Sequence, residues 1–120
     1  KETVTDSFSG FDKSVLPTCV VEIEKDAEKS TANYTLRYFN TAMAMYENLE
    51  NSDIIHNPQY KISFANNEKW LMIFHDVAIN NTAKTIKEYD TIHNLSITVY
   101  CHQPAYGHCA LTIVPTDNDR

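Results

Sequence analysis

From Leu95 onward the chain alternates apolar and polar residues with a period of two. Leu95, Ile97, Val99 and Cys101 fall on one side, and Ser96, Thr98, Tyr100 and His102 on the other. Successive strand side chains point to opposite faces, so this pattern predicts a strand with one buried face. Pro104-Ala105-Tyr106-Gly107 follows, which is good turn chemistry. The next run, CALTIV at 109–114, is apolar and rich in β-branched residues. It suits a central strand covered on both faces. A hairpin of this kind cannot stand alone in water, so the rest of the chain has to supply more strands and a covering layer.

The N-terminal half supplies both. In TCVVEIEK, Cys19, Val21 and Ile23 share one face, and Glu22 and Glu24 the other. NYTLRYFN at 33–40 reads as a second strand, with Leu36 and Tyr38 on one face, and the polar DAEKSTAN joins the two as a hairpin. Asn40-Thr41 can cap a helix beginning TAMAMYENLE, and Asn57-Pro58 breaks the chain after it. A longer helix is predicted from about Asn66. Its stripe is Trp70, Ile73, Phe74 and Val77, at steps of three and four, and Asn80-Asn81 ends it. A further strand is expected at about 83–90. Two strands, then helices, then three strands imply an α+β fold with an antiparallel sheet and helices on one face.

With 42% hydrophobic and 11% aromatic residues in 120, this is one ordinary globular domain. The net charge is −6 and the ten basic residues are scattered, which argues against nucleic acid or an anionic membrane surface as partner. No apolar run approaches membrane-spanning length, and no signal-peptide pattern opens the sequence. Three cysteines do not form a secreted disulfide framework, so a reducing cytoplasm is expected. The sequons at Asn33, Asn80 and Asn94 are accordingly read as chance. The chain opens at Lys1 rather than Met, as expected for a piece of a longer protein.

CHQPAYGHC at 101–109 is nearly a palindrome and raises the question of a zinc site. A symmetric turn would set Cys101 opposite Cys109 and His102 opposite His108. Alternation then puts both thiols on one face and both imidazoles on the other, so no regular hairpin delivers all four to one tetrahedral ion. The thiols share the face of Ile97 and Val99 and are expected to be buried and free, with a Cys101–Cys109 redox pair as the alternative. His102 and His108 remain weak candidates for a divalent metal, and no metal is inferred.

Three segments together resemble a PAS domain. Tyr38-Phe39-Asn40 resembles the aromatic-hydrophobic-Asn triplet with which a PAS strand enters a short helix. Trp70 to Ala78 resembles the long PAS helix that crosses the sheet. ITVYCHQPAYGHCALTIVPTD resembles the last PAS hairpin, with Gln103-Pro104, Gly107 and Cys109-Ala110 as in bacterial, clostridial-type diguanylate cyclases and sensor kinases. The resemblance covers residues 14–117. It leaves 1–13 as a linker or docking segment and 118–120 as the start of a linker to an output domain. It implies a five-stranded antiparallel sheet in the order 2-1-5-4-3 with helices on one face. It also implies a non-enzymatic role: sensing a small ligand or binding a partner, with a homodimer expected, and relaying to a diguanylate cyclase or kinase domain in the same chain. Where many PAS domains end in an Asp-Ile-Thr-like triplet, this chain has Pro115-Thr116-Asp117.

No cofactor is inferred. A flavin sensor of this family would carry a Gly-x-Asn-Cys-Arg-Phe-Leu-Gln motif, and residues 50–64 hold nothing similar. A haem sensor would need an axial histidine, and His75 lies about 100° around the helix from Phe74. His56 and His93 are read as solvated. No nucleophile elbow, phosphate loop or zinc-protease motif is present. Val21, Ile23, Leu36, Tyr38, Trp70, Ile73, Phe74, Val77, Ile97 and Val99 are expected to face the space between helix and sheet, where they either fill it completely as a close-packed core or line a ligand pocket. Tyr38 and Trp70 carry polar ends suited to a small polar ligand. The competing reading is a small α+β cup enzyme or carrier.

Overall fold

A computed structural model describes residues 16–26, 31–48, 61–65 and 67–116 of the chain. In order, these form β1 (Thr18–Asp26), β2 (Thr31–Phe39), α1 (Thr41–Glu47), α2 (Glu68–Asn80), β3 (Lys84–Asp90), β4 (Leu95–His102) and β5 (His108–Thr116). The expected N-terminal docking segment, the Asn57-Pro58 break, His56 and Asp117 lie outside the described residues. The five strands make one antiparallel sheet in the order β2-β1-β5-β4-β3. The period-two pattern has its expected consequence. Cys19, Val21, Leu36, Ile97, Val99, Cys101, Cys109, Leu111 and Ile113 share one buried cluster with Trp70, Phe74, Val77 and Ala78 of α2. That inner face is the core.

One expectation about faces fails. Val20 pairs with Tyr38 and Val21 with Leu36, so β2 carries one extra residue, Arg37, opposite the Val20–Val21 step. A bulge of one residue exchanges the faces of everything beyond it. Leu36 stays on the core side, while Tyr38 turns to the other face, where it is buried with Val20 and Ala110. Tyr38 is therefore not among the residues facing α2.

The last hairpin also departs from symmetry. Cys101 lies opposite Leu111, and His102 opposite Ala110. The shift is two residues, so the faces survive while the direct Cys101–Cys109 and His102–His108 pairings do not. The cause is where the loop docks. Gly107 N–H donates to the Ala78 carbonyl at 2.9 Å, and Gln103 Nε2 donates to the same oxygen at 2.8 Å. Ala78 belongs to the last turn of α2, whose carbonyls have no partner within the helix. The Gly107 carbonyl in turn accepts from Ile23 N–H at 2.9 Å. Gly107 sits at φ +82°, a left-handed conformation that glycine adopts without strain.

Among the described residues, asparagine takes the other special positions, in a chain with only two glycines. Asn48 and Asn81 close α1 and α2 at φ 58° and 55°, and Asn94 turns the β3–β4 connection at φ 59°. Asn40 and Asn67 cap the helix starts, accepting from Met43 and Trp70 N–H. Asn40 does more than cap. Its Oδ1 also accepts from Thr18 N–H at 3.1 Å, and its Nδ2 donates to the Leu16 carbonyl at 3.0 Å. The residue is buried, and it fastens the start of β1 to the end of β2 and to α1. On the far side, Lys69–Glu88 at 2.6 Å and Lys84–Asp76 at 3.2 Å tie α2 to the edge strand β3. Such exposed pairs contribute little each.

Two substitutions test this reading by chemical denaturation. Asn40→Ala removes a cap and strands the Thr18 donor and the Leu16 acceptor, a loss of roughly 2 to 4 kcal/mol. Asn81→Ala costs about 1 kcal/mol, whereas Asn81→Gly, which tolerates the same backbone, costs nothing measurable.

Candidate functional site

The residues anticipated as a pocket come together, with Tyr38 excepted. Val21, Leu36, Trp70, Phe74, Val77, Ile97 and Val99 are buried in the inner cluster, and Ile23 and Ile73 pack at its margin. Trp70 is the centre of an aromatic group. Its ring lies 5.3 Å from Phe64 and 5.7 Å from Phe74, and Phe74 meets Tyr34 edge-on at 5.0 Å. Tyr34 is satisfied: its hydroxyl donates to the Ala65 carbonyl at 2.7 Å and accepts from Ile62 N–H at 2.8 Å. Burial pushes that phenol well above its ordinary acidity range, so it stays neutral.

Trp70 is not satisfied. Its indole nitrogen is a donor and nothing else. The residue is 0% exposed, and among the described residues Nε1 meets no hydrogen-bond acceptor. A buried donor without an acceptor costs about 1 to 3 kcal/mol, and such groups are few in folded proteins. Of the two polar contacts expected for a ligand, the structure takes away Tyr38 and leaves Trp70 with an unused donor.

The three cysteines are buried and free on the same inner face. Cys19 and Cys101 flank Leu111 on the neighbouring strands, and Cys109 lies two residues along β5. Burial raises the Cys19 thiol far above its usual range. A hydrogen bond with Cys101, together with burial, does the same to Cys109. Thiols held protonated are poor nucleophiles and poor metal ligands. Among the described residues, no group of three or more His, Cys, Asp or Glu side chains is placed to hold a metal. His102 stands exposed on the outer face of β4. His108, on β5, faces Glu22 of β1, with Nε2 at 4.0 Å from the carboxylate.

Among the described residues, a dense polar cluster forms that local sequence reasoning did not find. Asp90, at the end of β3, is 1% exposed. Its Oδ1 accepts from the backbone N–H of Ile92 at 2.9 Å and of His93 at 3.1 Å. Its Oδ2 accepts from the Tyr46 hydroxyl of α1 and faces His93 Nδ1 at 2.8 Å. The other ring nitrogen of His93 faces the Tyr46 carbonyl at 2.5 Å, and the two rings stack with centroids 4.0 Å apart. Burial alone would raise the Asp90 carboxyl, but the bonds from Tyr46 and His93 outweigh it and hold the group below the ordinary carboxylate range. Burial and the Asp90 bond push the Tyr46 phenol up. His93 is thus engaged rather than solvated. A carboxylate beside an imidazole suggests general-base chemistry, yet such a base needs one ring nitrogen open to substrate. Here both are occupied. The one local signal was Asp90 at the head of a turn, a position where its side chain binds the backbone just beyond.

On the outer face, a groove of about 450 Å³ opens between Lys87, Tyr89, Ser96, Thr98 and Thr116. It shares only Ile97 with the anticipated pocket. No helix of the described residues is long and apolar enough to cross a membrane. No known family model matches the chain. No curated protein matches it either.

The thiol chemistry has a direct check. With a disulfide-exchange reagent, all three thiols should react only at the rate of global unfolding. The rate should rise steeply with denaturant, and mild oxidant should leave the native mass unchanged.

Proposed function

We propose that this chain is a PAS-type sensory and dimerisation module of a larger bacterial signalling protein. It works in the cytoplasm, binds a small ligand between α2 and the inner face of the sheet, and relays that state to a diguanylate cyclase or kinase output domain. The domain itself catalyses nothing. The observation that carries the reading is the strand order β2-β1-β5-β4-β3, with α2 packed on one face. Two joints support it. Asn40, the last residue of the Tyr-Phe-Asn triplet, is the buried tie between β1, β2 and α1. Gln103 and Gly107, the marks of the last hairpin, both bind the end of α2. The residues that carry the resemblance are therefore those that join one element to the next.

Trp70 defines the ligand's chemistry. A largely apolar molecule bearing a carbonyl, carboxylate or ring nitrogen would accept from Nε1 and lie among Phe64 and Phe74. Trp70 is the only tryptophan in the chain, so its emission reports on its surroundings. A thermal-shift screen of small molecules should yield a ligand that raises the melting temperature and changes that emission. A ligand at a hundred times its dissociation constant adds about 2.7 kcal/mol of stability. Trp70→Phe, followed by calorimetry, should weaken binding roughly 5- to 10-fold, the worth of one neutral hydrogen bond. Equal affinity in that variant would remove Trp70 from the site.

A further inference from the structure

Both ring nitrogens of His93 face acceptors that cannot donate. Nδ1 meets the Asp90 carboxylate at 2.8 Å, and Nε2 meets the Tyr46 backbone carbonyl at 2.5 Å. A neutral imidazole carries one N–H and one lone pair, so only the imidazolium serves both. The two acceptors belong to different parts of the fold: Asp90 ends β3, and Tyr46 lies in the last turn of α1. The Tyr46 carbonyl is one of those a helix leaves without an internal partner. Its neighbours Ala44 and Met45 give their carbonyls to the Asn48 N–H. His93 supplies the donor that Tyr46 needs.

We infer that His93 is a proton-operated latch between the β3–β4 turn and α1. As imidazolium it bridges the Asp90 carboxylate and the Tyr46 carbonyl. When solvent takes one proton, the ring lets go of α1. The bond that fails is set by charge. Nδ1–H is held by an anion and Nε2–H by a neutral carbonyl, so the proton leaves from Nε2. The nitrogen lone pair then faces the carbonyl lone pairs, and contact turns to repulsion. No other bond forms or breaks, and the proton passes to water or buffer. Access is available, since the His93 side chain is 26% exposed.

The groups around the ring bear this out. Among the described residues, Asp90 faces it from β3 and Tyr46 from α1, and the phenol donates to Asp90 and stays neutral. Glu47, next on α1, turns its carboxylate to Ser63, accepting from N–H at 3.0 Å and Oγ at 2.6 Å. That contact keeps α1 attached to the 61–65 segment when the latch opens, and the Asn40 cap holds the other end. Release therefore loosens the last turn of α1 without unfolding the domain. The acid limb is separate. Asp90 titrates below the ordinary carboxylate value of about 4, so its stabilisation is complete above that value and is lost only as the pH falls through its own lowered one. The latch holds between the two limbs. It needs no ligand and stands apart from the sensor reading.

The test is histidine ¹⁵N NMR of the wild-type domain through a titration from about pH 5 to pH 9, with amide exchange at Tyr46, Glu47 and Asn48. At the acid end both His93 nitrogens should carry protons. On the alkaline side Nε2 alone should lose its proton, and protection of those amides, corrected for intrinsic exchange, should fall about tenfold, the worth of one hydrogen bond. In His93→Gln, which cannot titrate, the corrected protection should not change with pH. A single protonated nitrogen throughout, or the same loss of protection in His93→Gln, would overturn the latch. Should that variant fail to fold, the wild-type nitrogen shifts decide the matter by themselves.

Discussion

Packing of α2 against one face of a five-stranded sheet is the interaction on which everything else here depends. Trp70, Phe74 and Val77 lie in one cluster with inner-face residues from β1, β2, β4 and β5. Each large apolar side chain buried this way contributes about 1.5 to 3 kcal/mol. No other described element offers a comparable apolar face. The helix must therefore be held at the right height and angle, and the polar joints do that. The Ala78 carbonyl at its end receives Gly107 N–H and the Gln103 amide. Asn67 caps its start. Lys69 and Lys84 reach across between α2 and β3. Hydrophobic burial supplies the driving force, and directional bonds select the register.

The same division explains what could be read in advance. Period-two and period-three-to-four patterns are local, so the five strands, the two described helices, the Asn40 cap and the stop at Asn81 were legible within a few residues. The sheet order came only through the resemblance. The extra residue at Arg37 was not legible, because a bulge depends on how a strand meets its partner. Its consequence was large: Tyr38 changed faces and left the expected pocket. The hairpin register was missed for a related reason. Turn residues specify a reversal of the chain, whereas the two-residue shift follows from docking Gly107 on a helix some thirty positions earlier in the chain.

His93 shows the limit most clearly. In sequence it is an isolated histidine near a strand end, for which solvation is the ordinary reading. Its partner Tyr46 lies 47 residues away. Asp90, at the end of β3, is a buried hub that joins β3, the following turn and α1. Clusters of this kind form only when the sheet brings separate loops to one end of the fold. The palindrome at 101–109 is the reverse case. It looks like a metal site in one dimension, and strand geometry sends its thiols inward and His102 outward.

What remains is an indole donor enclosed among Phe64, Phe74 and the apolar face of the sheet. Either the fold tolerates that cost, or something small repays it. The most direct measurement is the mass of the native domain, isolated without refolding, beside its mass after denaturation. A sensor with an occupied site gives a native mass larger by one small molecule, released on unfolding. Identical native and denatured masses from independent preparations, with no ligand restoring a difference, would contradict a small-molecule sensor.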